Sequence, residues 1–526
     1  MRTVALLRLA LLLPLPLLAS ACVSEHGPLT NRMAQAATPY LARAAKQPVS
    51  WQPWGRDAFA LAARLDRPVL LYIGADDCRW CGIMDREVYR DPILGAMIDS
   101  LFVPVRVDRD ERPDVAQRYA TAVQLLAGLR GYPITVFLTP DGAAFFGGTY
   151  FPLDDPVTGR GLKQLLPDVA RSYREQRASV LRRAELIRQL SLGRPGTAGS
   201  AKAVRIQVET AAVRDAVVAA VQAGADVATL RYIRAVDLLL AAYARTSDSS
   251  YLRPARTVLD YVADSGAGGG AGAGAGAFTA GGNARDDPPE IQRAGWLHDL
   301  TVARAVTGDA RYRDASRAVA RRLAGEMAFT VDRTVFADRD AYVIGAVLDA
   351  AVAVGDSGTA VRSRATLDTL LRRVYGRGRP VRHALGGGSP ARALLDDQVQ
   401  VAAACLAAHR ATGAPRYLEI AQDLVGVLER DFADSTSAGY LEAVATDPAA
   451  PALTERVKPV LDDLLPAGNA VAARVLLRLA DVTGDARYRR RAEALIEALA
   501  MTLTGAGSGL RASSYLAAAQ ELLRSH

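Results

Sequence analysis

Cysteine is scarce in this chain: 526 residues hold four, Cys22, Cys78, Cys81 and Cys405. That count excludes a disulfide framework, because only Cys78 and Cys81 are neighbours and the other two lie in unlike contexts. Histidine numbers five, and neither His nor a further Cys recurs near the Cys78–Cys81 pair, so a structural zinc site is not expected there. Gly82 rather than His follows Cys81, which excludes c-type haem attachment. Aromatics make up only 6%, leaving few platforms for stacking sugars or bases. The net charge of +8 comes from Arg interleaved with Asp and Glu at helical spacing, a solvated surface rather than a nucleic-acid groove. Beyond about Leu162, strand signals almost vanish.

The first 21 residues read as a secretory signal. Arg2 and Arg8 precede an apolar Leu9–Leu18 that is too short for a membrane span and is broken by Pro14 and Pro16. Leu18-Ala19-Ser20-Ala21-Cys22 resembles a bacterial lipoprotein signal, which implies a lipid on Cys22, a membrane anchor and an envelope location facing the periplasm, where disulfide chemistry is permitted. Residues 22–47 are polar and Ala-rich without a sustained period and are expected to be a tether.

From Pro48 to about residue 160 the pattern is α/β. Pro68–Gly74, Phe102–Asp108 and Ile134–Leu138 are apolar runs of strand length. Met84–Ser100 and Pro113–Leu126 lie between them at helical spacing, and the turn signal Thr139-Pro140-Asp141-Gly142 leads into a hairpin strand at Ala144-Phe145-Phe146. Residues 161–526 are expected to be all helical, with a Gly/Ala-rich loop at 264–282. A weak repeat runs through them. Thr307-Gly308, Thr412-Gly413 and Thr483-Gly484 each precede a Tyr (Tyr312, Tyr417, Tyr488), Thr246 and Tyr251 share the offset, and Gly355-Asp356 is a further corner. Gly ends one helix in a left-handed conformation, Asp309 or Asp485 caps the next, and the Tyr packs one turn inside it. Stacked helical hairpins of this period form an open solenoid or a closed toroid. Cys405, in the apolar run Val401–Ala408, is expected to be a small buried hydrophobe.

Chemistry concentrates at Cys78-Arg79-Trp80-Cys81, placed between a strand and a helix start. Helical amides, the helix dipole and Arg79 favour a thiolate at Cys78, which is expected to be the exposed nucleophile with Cys81 as resolving partner. Asp76 and Asp77 oppose this effect, and one of them is expected to cap the helix.

Taken in order, Trp51-Gln52-Pro53-Trp54, the Cys78–Met84 segment, Asp108-Arg109-Asp110-Glu111-Arg112-Pro113-Asp114, Gly131-Tyr132-Pro133 and Gly147-Gly148-Thr149-Tyr150-Phe151-Pro152 resemble a family of thioredoxin-like proteins fused to an (α/α)6 toroid, the spermatogenesis-associated thioredoxin-like family. The resemblance implies an α/β thioredoxin-like domain followed by an all-α, six-hairpin glycosidase-like toroid. It makes Pro133 a cis proline facing the dithiol, with Tyr132, Arg79 and Trp80 contacting a bound thiol or disulfide. The family's histidines around the cysteines are replaced here by Arg79 and Gly82, and the buried Asp of many thioredoxins falls at Tyr72. More loosely, the toroid corners around Leu395-Asp396-Asp397 and Leu464–Asn469 match the family too.

Three functions compete. The first is an envelope thiol–disulfide oxidoreductase acting on protein thiols or disulfides, with the toroid as a recognition module. The second is a carbohydrate-active toroid of glycosidase or epimerase type, for which Asp396, Asp397, Glu442, Asp462 and Asp463, with Asn469, are cavity candidates. The third is a non-catalytic scaffold. A small-molecule or glycan ligand in the toroid fits the first two. No cofactor, metal or nucleic acid is expected, and the sparse aromatics argue that sugar chemistry is lost.

Overall fold

The computed structural model describes residues 29–155, 157–158, 161–191, 202–225, 227, 229–267, 288–327, 335–383, 393–436, 438–444, 457–500 and 509–524. The leader, Cys22 and the Gly/Ala-rich run from residue 268 lie outside the described residues.

The first domain is an α/β unit of α1 (Pro39–Arg43), β1 (Gln52–Pro53), α2 (Arg56–Leu65), β2 (Val69–Gly74), α3 (Arg79–Glu87), α4 (Pro92–Leu101), β3 (Val103–Asp108), α5 (Pro113–Ala127), β4 (Ile134–Leu138), β5 (Ala144–Gly148), α6 (Leu162–Glu175) and α7 (Arg177–Ser191). The sheet order is β1-β3-β2-β4-β5. β1 and β2 run parallel to β3, while β4 is antiparallel to both β2 and β5. The central strands are buried along their whole length, which is why they read as continuous apolar runs rather than alternating ones.

Three boundaries differ from expectation. Met84–Ser100 is not one helix: Asp91 accepts the Leu94 N–H at 2.7 Å and starts a new helix with Pro92 at its first position. Residues 29–47 are no tether, since Met33, Tyr40, Leu41 and Ala44 are buried in the domain core. Nor does the domain end at 160, because Leu162, Leu166 and Tyr173 of α6 join the same core and α7 packs on α5 and β5.

The second domain is a closed (α/α)6 toroid. Inner helices α9 (Leu230–Thr246), α11 (Pro289–Thr307), α13 (Ala337–Ala353), α15 (Leu395–Thr412), α17 (Gly468–Thr483) and α19 (Ser513–Arg524) each pack on the next, and α19 returns to α9. Around them stand α8 (Lys202–Gln222), α10 (Ser249–Ala267), α12 (Ala310–Glu326), α14 (Ser357–Val374), α16 (Pro415–Val427) and α18 (Ala486–Leu499). The repeated corners form as their residues dictate. Gly308, Gly413 and Gly484 adopt φ of 76°, 68° and 70°, Asp309 and Asp485 cap the following helices through their side chains, and Tyr312 and Tyr417 are buried. Cys405 is free and buried in the toroid core.

Candidate functional site

Cys78 and Cys81 are joined as a disulfide, with Cα atoms 5.2 Å apart, at the start of α3. Cys78 itself is the N-cap residue: its Sγ lies 3.1 Å from the Cys81 N–H. This displaces the expected cap role of the two acids before it. Asp76 pairs with Arg43, and Asp77 with Arg109 at 2.6 Å. Cys78 is also not exposed, at 2%; Tyr132 packs against the small cluster that Cys78 forms with Ala75 and Cys81. Arg79 and Trp80 are exposed, and the Trp80 ring sits 5.1 Å from that of Tyr150. Tyr132–Pro133 is a cis peptide, as the resemblance implied. Tyr72 is buried, and its hydroxyl donates to the Cys81 carbonyl at 3.4 Å.

Gly74 is required by close approach. A Cβ there would stand 3.1 Å from Cys81 Sγ and would collide with the Tyr40 hydroxyl. Its partner across the parallel ladder is Asp108, and paired residues direct their side chains to one face. Asp108 therefore stands beside Gly74 on the neighbouring strand, a placement that reading one strand at a time misses. The Asp110 N–H donates to its carboxylate at 2.9 Å. Burial, and after it the charge of Asp110, pushes the Asp108 carboxyl up to about 7. Its value when unfolded is about 3.9, so the neutral form favours folding fully below that pH, and the contribution is lost as pH rises through about 7. Asp108→Asn is expected to remove this loss, raising stability at pH 8 relative to wild type by about 1–3 kcal/mol. Denaturant midpoints at pH 5 and 8 check it; identical pH dependence in the two proteins would refute the assignment.

The acid-rich loop after β3 meets the toroid. Arg109 bridges Asp77 and Asp110, at 2.6 and 2.9 Å, and Asp110 accepts from the toroid's Arg339 at 2.5 Å. Against the penalty of burial, Arg339 and then Arg109 hold the Asp110 carboxyl well below the usual carboxylate range. The Arg109 guanidinium also lies 5.0 Å from the Tyr132 ring centre. One chain of contacts thus joins the residue before Cys78, the tyrosine beside it and the toroid wall.

A pocket at this seam is lined by Pro113, Asp114 and Gln117 of the first domain and by Asp338, Asp396, Glu442 and Asp463, among others, of the second. Three of the five expected cavity acids, Asp396, Glu442 and Asp463, converge here, joined by Asp338. Burial, then Asp338 and Glu442, pushes the Asp396 carboxyl well above its ordinary value. The other expected residues have structural work instead. Asp397 accepts the Leu394 N–H at 3.2 Å and lies 2.9 Å from His383 Nδ1. Asp462 accepts from the Ala467 and Ser514 amides, and Asn469 staples the loop at Tyr440 and Pro459.

Residues 30–191 match the family model Thioredox_DsbH, described as a protein of unknown function, DUF255. The first domain is similar to this family over those residues. Its match limits agree with the observed packing of residues 29–47 and of α6 and α7 onto the sheet. The chain is 36% identical over 164 residues to Spermatogenesis-associated protein 20 of Homo sapiens, covering 31% of this chain and 21% of the human protein. An uncharacterized Caenorhabditis elegans protein, B0495.5, is 37% identical over 161 residues, covering 30% of this chain and 22% of its own length. The chain spans about a fifth of the length of these relatives. Among solved structures, the chain is similar to a family 105 glycoside hydrolase of C. acetobutylicum ATCC 824, with TM-score 0.44, 11% identity and coverage of 60% of this chain and 98% of the other. An unsaturated glucuronyl hydrolase specific for heparin gives TM-score 0.41 at 13% identity, covering 55% and 84%.

Proposed function

We propose that the DUF255 domain is a thiol–disulfide oxidoreductase and that the toroid recognises its substrate. The observation that carries this reading is the Cys78–Cys81 bond at the N-terminus of α3, beside Tyr132 of the cis Tyr132–Pro133 peptide. Helical amides favour a thiolate at Cys78 once the pair is reduced. That thiolate attacks one sulfur of a substrate disulfide, forming a mixed disulfide and releasing the other sulfur as a thiolate. Cys81, deprotonated, then attacks Cys78 Sγ, releasing the second substrate thiol and restoring the Cys78–Cys81 bond. Two electrons pass from the dithiol to the substrate; the reverse sequence oxidises a substrate dithiol. The seam contacts support recognition by the toroid, because Tyr132, which packs against the cysteine cluster, is tied through Arg109 and Asp110 to Arg339.

Cys81→Ser tests the order of attack. The reduced full-length variant, mixed with a short peptide disulfide, is expected to accumulate a Cys78-linked mixed disulfide that wild type does not retain. Mass mapping that finds no adduct on Cys78, or finds it on Cys405, would sink the proposal.

A further inference from the structure

Inside the toroid, away from the dithiol, a second cavity is lined by inner helices α9, α11, α13, α15 and α17. On its wall Asp237 of α9 and His298 of α11 meet, with His298 Nε2 3.2 Å from Asp237 Oδ1. Behind them stands Asp299, fully buried, and neither of its carboxylate oxygens has a hydrogen-bond partner among the described residues. One ligand atom from each of the three lies within 4.8 Å of the others. A buried carboxyl with both oxygens orphaned is costly, so its retention calls for a partner that no side chain here supplies.

Charge indicates what that partner is. Arg474 is held by Asp237 at 2.8 Å and by Glu521 at 2.6 Å. Arg234 donates to the Tyr342 hydroxyl at 2.6 Å. Asp299 forms no ion pair with either guanidinium among the described residues, so both of its oxygens remain open to a cation. We propose that Asp237, His298 and Asp299 bind one divalent first-row transition ion, of the Zn²⁺ or Mn²⁺ class. One imidazole nitrogen with two carboxylates suits these ions, whereas Mg²⁺ and Ca²⁺ favour all-oxygen sets. With three protein ligands, the ion keeps a coordination position for water or a ligand entering the cavity past Tyr342 and Gln400. A second cluster, Asp338, His383 and Asp397, has similar spacing, but there each carboxylate already accepts from a backbone amide, Asp338 from Arg339 at 2.8 Å and Asp397 from Leu394 at 3.2 Å, whereas Asp299 accepts from none.

The test uses metal-free full-length protein with the dithiol kept oxidised, so that no thiolate competes. Equilibrium dialysis against Zn²⁺, and separately Mn²⁺, followed by metal analysis is expected to give one ion per chain. Asp299→Asn, nearly isosteric, and His298→Gln are each expected to weaken binding at least about tenfold, while Asp397→Asn leaves it unchanged. Mg²⁺ is expected to bind more weakly than either. Zn²⁺ should raise the melting temperature of wild type and not that of Asp299→Asn. Should Asp299→Asn not fold, His298→Gln decides, since its ring is about a quarter exposed and its loss leaves the core packed. Absence of bound metal, or binding unaffected by the α11 substitutions, would overturn the site.

Discussion

Cys78→Ser is expected to reduce disulfide exchange by the full-length protein to the uncatalysed rate, and Cys78→Ala to do the same. The reason is chemical: no other thiol is placed to replace it. Cys405 is buried in the toroid core, where burial, ahead of the nearby Asp368, raises its thiol far above the ordinary range. Cys81 is fully buried beneath Gly74. A hydroxyl at Cys78 is not ionised near neutral pH, so the helix N-terminus has no thiolate to stabilise. Turnover of a fluorescent peptide disulfide with a dithiol donor measures the effect. Residual activity above a tenth of wild type in Cys78→Ser would remove the dithiol from the chemistry and leave the domain a scaffold. The fold should survive, because the Cys78–Cys81 bond that is also lost closes only a short loop and Ser is a good cap residue.

What the sequence made legible follows the range of the interactions involved. Val69–Gly74 and Ile134–Leu138 were readable because a strand buried on both faces is apolar throughout, and the toroid corners because Gly, Asp and Tyr act within one turn of each other. The dithiol and cis Pro133 were readable from motifs of three or four residues. Reading failed where a distant partner decides. Asp77 has the chemistry of a cap, but Arg109, 32 positions later, takes its carboxylate. Tyr40 and Leu41 show no periodicity yet join the core, where Gly74 leaves room for the Tyr40 hydroxyl. Asp462 and Asp463 are adjacent in sequence, yet one is buried holding amides and the other is exposed at the seam. The meeting of Asp299 with Asp237 and Arg474 was not readable, since those residues come from helices far apart in the chain.

The same long-range logic sets the largest expected loss of stability, at Arg106. It lies in β3, 1% exposed, with both terminal nitrogens donating to Asp85 of α3 at 2.7 Å. Its guanidinium is enclosed by aromatic rings, with centres of Tyr40, Tyr72 and Trp51 at 4.6, 4.9 and 5.7 Å. The charge is thus desolvated, paired and stacked, and it holds the N-terminal segment, the sheet and the dithiol helix together. Removing one partner of a buried pair leaves the other uncompensated, at a cost of about 3–5 kcal/mol. Asp85→Ala is therefore expected to destabilise the protein by about that amount. Because the side chain of Asp85 is 23% exposed, water entering the gap places the expectation near the lower end, about 3 kcal/mol. Replacing both residues, as in Arg106→Leu with Asp85→Leu, takes the orphaned charge away and is expected to recover at least about 1 kcal/mol of that loss. Chemical denaturation followed by the fluorescence of Trp51, which lies in this cluster, measures all three proteins. A loss below about 1 kcal/mol in Asp85→Ala would mean that the aromatic enclosure alone satisfies Arg106, and the ion pair would then have no structural role in presenting α3 and its cysteines.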